Sequence, residues 1–113
     1  MSRTGPSGRD AIYRAFREAV NLSPEELEAW LATPESHAVG QKKDKASESV
    51  GHASGRRIVA LLRADPAGLG EEDYRHMRKV VGFIRRHRAQ EPANMVSSRW
   101  RYSLLNWGHD PLK

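Results

Sequence analysis

The chain has 113 residues, 29% of them charged and none of them cysteine, and a formal net charge of +5. That length supports one domain around a single modest core, and the missing cysteine excludes disulfides, thiolate zinc sites and thiol catalysis. The start, "MSRTGPSGRD", has no apolar stretch to act as signal peptide or anchor, and the longest aliphatic run, "IVALL", is far below the roughly 18 residues that span a bilayer.

An intracellular, cytoplasmic protein without a membrane partner is therefore expected. The charge is shared unevenly: residues 1–49 hold 7 Lys and Arg against 8 Asp and Glu, residues 50–113 hold 12 against 6. An excess confined to one half points to a polyanion partner, nucleic acid before membrane, because no basic segment is also strongly apolar.

Residues 1–8 are Gly, Ser and Pro among polar neighbours and read as a disordered tail; residues 9–113 read as one helical domain. From Arg9 onward Ile12, Phe16, Ala19 and Val20 recur at helical spacing. "LSPEEL" then carries a complete helix start: Ser23 as cap, Pro24 in the first position, Glu26 closing a capping box, with Leu22 and Leu27 placed as a hydrophobic staple. The second helix offers Leu27, Trp30 and Leu31 and ends near Thr33-Pro34, so the first two helices are predicted to form a tight hairpin. The polar stretch 34–49 reads as a long loop, in which Gly40-Gln41-Lys42-Lys43 could wrap a phosphate or simply be solvated.

A third helix is predicted from about Ser47 to Arg63. At ~100° per residue Gly51, Gly55, Ile58 and Leu62 share one face, and two mid-helix glycines on a buried stripe fit the close approach of another helix. His52, Arg56 and Arg63 line the flank. "ADPAGLG" is a turn, and Glu71-Glu72-Asp73 open a fourth helix where its dipole favours negative charge. That helix is predicted to reach Ala89, ended by Pro92 and the loop around Asn94. A short last helix, "SSRWRYSLLNW", has Ser97 or Ser98 to cap it and Gly108 to stop it. The fold class is therefore all-α: four main helices plus a short C-terminal one, the third and fourth a candidate helix-turn-helix-like pair with a long turn.

The fourth helix carries the main functional signal. On a wheel of ~100° steps Tyr74, Met77, Val80, Val81 and Ile84 take one side, while Arg75, Arg78, Lys79, Arg85 and Arg86 form a continuous arc with Gly82 at its middle. A surface helix needs a polar face in any case, but such faces usually mix signs and gain from i,i+4 pairs of acid and base. From Arg75 to Arg88 six cations occur without one acid, so they repel one another unless an anion is bound. Such an arc, roughly 16 Å long, can track phosphates along a nucleic-acid backbone, with Gly82 allowing close approach. In the tail, Trp100, Leu104 and Trp107 share a face spaced like core anchors, and Trp30 reads the same way; Arg99 and Arg101 point elsewhere, toward a phosphate partner.

Catalytic and metal signatures do not emerge. No histidine pairs in sequence with a nucleophile and base. His76 and His87 lie about 16 Å apart along their helix, too far for one metal, and His109 beside Asp110 reads as C-terminal docking rather than a dyad. No enzyme activity, cofactor or metal is expected.

The stretches "VNLSPEELEAWL", "VGQKK", "ESVGHASGRRIVALL", "DYRHMRKVVGFIRRHRAQ" and, most specifically, "RWRYSLLNWGHDPLK" together resemble a small bacterial family classed as a domain of unknown function. The resemblance runs from about Tyr13 onward. It implies a stand-alone bacterial protein, and family members often carry a DNA-binding label. It assigns no role to any single position.

The expected function is binding of double-stranded DNA, with RNA as the other nucleic acid, through backbone phosphates and with little sequence selectivity. Arg75, Arg78, Lys79, Arg85 and Arg86 form the expected track, extended by Arg56, Arg57, Lys42, Lys43, Arg99 and Arg101. Such a protein would be nucleoid-associated. The alternative is an interaction or assembly module, its basic face meeting an acidic protein partner and its "GHASG" face packing on a second copy as a homodimer.

Overall fold

The computed structural model describes residues 8–39, 48–93 and 98–113; the expectations for the tail before Gly8, for Lys42 and Lys43 in the Gly40–Lys43 stretch, and for the loop around Asn94 lie outside them. Among the described residues there are six α-helices and no strand: α1 Arg9–Ala19, α2 Pro24–Leu31, α3 Pro34–Ala38, α4 Val50–Arg63, α5 Glu71–Arg88 and α6 Arg99–Asn106, with a 3-10 turn at Pro66–Gly68 between α4 and α5.

Local chemistry sets most of the boundaries. Ser23 Oγ accepts from the Glu26 N–H at 3.1 Å and the Glu26 carboxylate accepts from the Ser23 N–H at 2.8 Å, completing the capping box that starts α2. Ser49 caps α4 through the His52 N–H, and Ser98, the second of the two predicted candidates, caps α6 through the Arg101 N–H. Gly108 stops the last turn with a φ of +83°, a left-handed conformation that glycine adopts without a Cβ clash.

Two expectations are corrected. Pro34 does not end the second helix into an irregular loop; it stands in the first turn of α3, which Thr33 caps by accepting from the Ser36 N–H. Ser36, Val39 and Ser49 of the presumed loop are all buried. The predicted hairpin of α1 and α2 does not form either, because α1 packs mainly along α5 and α2 mainly along α4. The connection between them is extended and is pinned by the C-terminus: the N–H groups of Asn21 and Leu22 both donate to the Gly108 carbonyl. The third and fourth predicted helices, α4 and α5, each have another helix as principal partner, so the packing does not establish a helix-turn-helix pair.

One core joins all of this. Phe16, Leu27, Ile58, Met77, Val80 and Leu104 have no solvent contact, and α6 lies against α2, α3, α4 and α5. The glycine stripe of α4 faces α6: a Cβ on Gly51 would stand 3.0 Å from Trp107 Nε1, and one on Gly55 would stand 2.5 Å from the Asn106 carbonyl oxygen. Close helix packing accounts for both. Asn106, 1% exposed, is the polar centre of the joint. Its Oδ1 accepts from Trp30 Nε1 at 2.7 Å and from Ser36 Oγ at 2.6 Å, and its Nδ2 donates to the Ser36 carbonyl. The tail after Gly108 docks on the α1–α2 connection through His109 Nδ1 to the Ala19 carbonyl and a reciprocal Asn21–Asp110 pair.

Candidate nucleic-acid interface

Helix α5 buries Met77, Val80, Val81 and Ile84 and turns its opposite side to solvent. Arg75, Arg78, Lys79, Arg85, Arg86 and Arg88 are all exposed. Arg75 pairs with Glu72 one turn earlier at 2.6 Å, and Arg88 reaches His109 Nε2 at 3.4 Å. Arg78, Lys79, Arg85 and Arg86 form no ion pair or hydrogen bond among the described residues. On the helix these four span an arc of roughly 120° and about 12 Å of axis, centred on Gly82. The only atom close to a Cβ built on Gly82 is the flexible end of Arg86, at 3.1 Å.

The cations meant to extend this strip are placed differently. Arg56 makes a two-point pair with Glu48, which also meets His52; these partners hold the Glu48 carboxyl down to about 2 against its burial. Arg57 pairs with Asp73 at 3.3 Å, and Arg99 donates to the Ala38 carbonyl. Arg101 forks onto both oxygens of a largely buried Asp110 at 3.2 and 3.1 Å. A forked, sheltered pair of that kind is structural. An addition comes from α1: Arg9 sits over the Tyr74 ring, 4.9 Å from its centroid, and shares a groove with Arg75 and Arg78. The sequence offers no sign of this, because it depends on α1 lying along α5.

Beside the strip runs a column of rings contributed alternately by α5 and α6. Phe83 stacks on Trp107 at 4.3 Å and on His87 at 5.0 Å; His76 and Trp100 extend the column at its two ends. The tryptophans serve packing, as their spacing predicted: Trp107 is buried, and Trp30 and Trp100 lean on the core with their indole N–H groups donating to Asn106 and to the His87 carbonyl. Burial, with the nearby Arg57 and Lys79 charges, pushes His76 down to about 4, and burial lowers His87 as well. Both rings are therefore neutral at physiological pH and add nothing to the strip's charge.

His76 does meet a hydroxyl, which sequence spacing alone could not show: its Nε2 lies 2.9 Å from Ser54 Oγ. Ser54 is buried, and Asp73, one turn before His76, is engaged by Gly70 and Arg57. The contact ties α4 to α5. Among the described residues no three His, Asp or Glu side chains gather to hold a metal, and no helix is long and apolar enough to cross a membrane.

The geometry defines an all-helical protein whose longest helix presents unpaired cations on one face. Residues 15–105 match the family described as "Protein of unknown function (DUF3140)", and the chain belongs to that family. No curated protein and no solved structure gave a significant match.

Proposed function

We propose that the protein binds double-stranded DNA through its phosphates, with α5 laid against the backbone. Arg78, Lys79, Arg85 and Arg86 are the primary contacts. Arg9 and Arg75 flank them, since the exposed Arg75–Glu72 pair is weak enough to exchange for a phosphate. The observation that carries this reading is the contrast in pairing. Arg56, Arg57, Arg63 and Arg101 each have a carboxylate, while four neighbouring cations on one helix face have none among the described residues. Clustered like charges destabilise a fold on their own, and a polyanion relieves them. Nothing in the strip is arranged to read base edges, which supports low sequence selectivity. In a bacterial cytoplasm the duplex would be that of the nucleoid.

Titration of labelled duplex DNA at several salt concentrations tests the proposal. A phosphate binder loses affinity linearly in log[salt], with a slope near −0.9 per phosphate; four contacts give a slope of about −3.5. Absence of binding at about 50 mM salt, where attraction is strongest, would sink the DNA reading and leave an acidic protein surface as the partner.

A further inference from the structure

We propose that the cleft between the first turn of α4, the middle of α5 and the end of α6 binds a small aromatic phosphate, a flat ring carrying a dianionic group, as in a nucleoside monophosphate. The cleft has a volume of about 390 Å³, within the range of small-molecule sites. Lys79 and Arg86 stand on its α5 side, and neither is neutralised by a carboxylate among the described residues. On the opposite side lie Val50 and Gly51, the first two residues of a 14-residue helix, whose N–H groups have no acceptor among the described residues. A helix start of that kind attracts anions.

An independent observation sits inside. Trp107 is 4% exposed, and its Nε1 lies against Gly51 with no acceptor among the described residues, whereas Trp30 and Trp100 both have their indole N–H groups bonded. An indole N–H buried without a partner is costly, so a ligand acceptor there would be rewarded. Ser103 adds a hydroxyl at the rim.

The polar groups are thus almost all donors, and no carboxylate lines the cleft. That selects an anion. The remaining wall is apolar: Phe83, the Trp107 ring, and Val50, which is 49% exposed and one of only two large hydrophobic side chains that exposed among the described residues. Inorganic phosphate alone would leave this wall wet. A ring attached to the phosphate would cover it, while two cations and a helix start match a dianion better than a single negative charge.

The site does not require that α5 bind DNA. The test is a titration of the isotopically labelled full chain, followed at the three indole N–H resonances, with phenyl phosphate and adenosine 5′-monophosphate as ring phosphates and with inorganic phosphate and adenosine as the separate halves. The ring phosphates are expected to move the Trp107 indole signal, to leave those of Trp30 and Trp100 in place, and to bind about tenfold or more tightly than either half. Ser103→Phe fills the cleft without altering charge and should abolish the effect, while duplex affinity stays within about twofold of the parent. Should Ser103→Phe fail to fold, the surface variant Lys79→Gln/Arg86→Gln should lose ring-phosphate binding in its place. Equal affinity for ring phosphates and free phosphate, an unmoved Trp107 signal, or undiminished binding in the variant that folds would overturn the site. Failure of duplex binding with ring-phosphate binding intact would overturn only the DNA reading.

Discussion

The carbonyl oxygen of Asn106 occupies the space in which a side chain on Gly55 would begin. A Cβ there would be 2.5 Å from that oxygen and 2.7 Å from Leu31 Cδ2, so α4 can approach α6 and α2 only as glycine. Gly55→Ala must push backbone against backbone, and the expected loss is roughly 1–3 kcal/mol despite alanine's better helix propensity. Gly82→Ala is the control. It meets only the mobile end of Arg86 at 3.1 Å, so it should be neutral or gain up to about 1 kcal/mol. Chemical denaturation midpoints of the two variants separate the cases.

Asn106 itself satisfies three groups at once. Replacing it by Leu keeps the volume but leaves Trp30 Nε1 and Ser36 Oγ without their acceptor. A loss of about 2–4 kcal/mol is expected, since each stranded buried donor carries a desolvation penalty. Adding Ser36→Ala to Asn106→Leu removes one stranded group and should restore part of that loss. If the two substitutions prove simply additive, the network does not act as a unit.

What could be read without coordinates follows the range of the interaction. The Ser23–Glu26 capping box, the Ser98 cap and the Gly108 stop are contacts within a few residues, and the buried face of α5 follows from its period alone. The helix that covers α1 is α5, some sixty residues away, and the short α1–α2 connection suggested a hairpin only because its anchor, the Gly108 carbonyl, lies at the other end of the chain. Pro34 was ambiguous locally, since proline both ends helices and begins them. The strip shows the same division. The lack of acids within α5 is visible in the sequence, whereas the partners that remove Arg56, Arg57 and Arg101 from it lie 8, 16 and 9 positions away. Those separations are not the i,i+3 or i,i+4 distances that a helix projection tests.

Stability should fall in mild acid through histidine before any carboxylate titrates. His76 is pushed down to about 4 in the folded protein, chiefly by burial, with Arg57 and Lys79 opposing a positive ring and only Asp73 favouring it. Its ordinary value is 6.5, so between about pH 6.5 and about pH 4 the unfolded chain binds a proton that the folded one refuses, and stability rises with pH across that window. His87 and His109 are lowered by burial and act in the same direction. The carboxyl of Glu48, held at about 2, adds a separate loss below its ordinary 4.5. The melting temperature is expected to drop by roughly 5–10 °C over the histidine window. His76→Gln should reduce that drop, and an unchanged profile in this variant would remove His76 as its source.

The strip and the structural arginines should separate cleanly under substitution. Arg78→Gln with Arg85→Gln removes two exposed cations that hold nothing within the described protein, so the melting temperature should stay level or rise slightly as repulsion along α5 is relieved. Duplex binding should weaken, and its salt slope should become shallower by about 1.8, near 0.9 for each lost phosphate contact. Arg101→Gln should do the reverse. It leaves the sheltered Asp110 carboxylate without its forked partner and loosens the tail that pins the α1–α2 connection, so the midpoint of unfolding should fall while the salt slope at a temperature where the variant is folded stays that of the parent. Loss of stability in the Arg78/Arg85 variant would make those arginines part of the fold. A salt slope that Arg101→Gln also flattens would mean that the bound surface extends over α6.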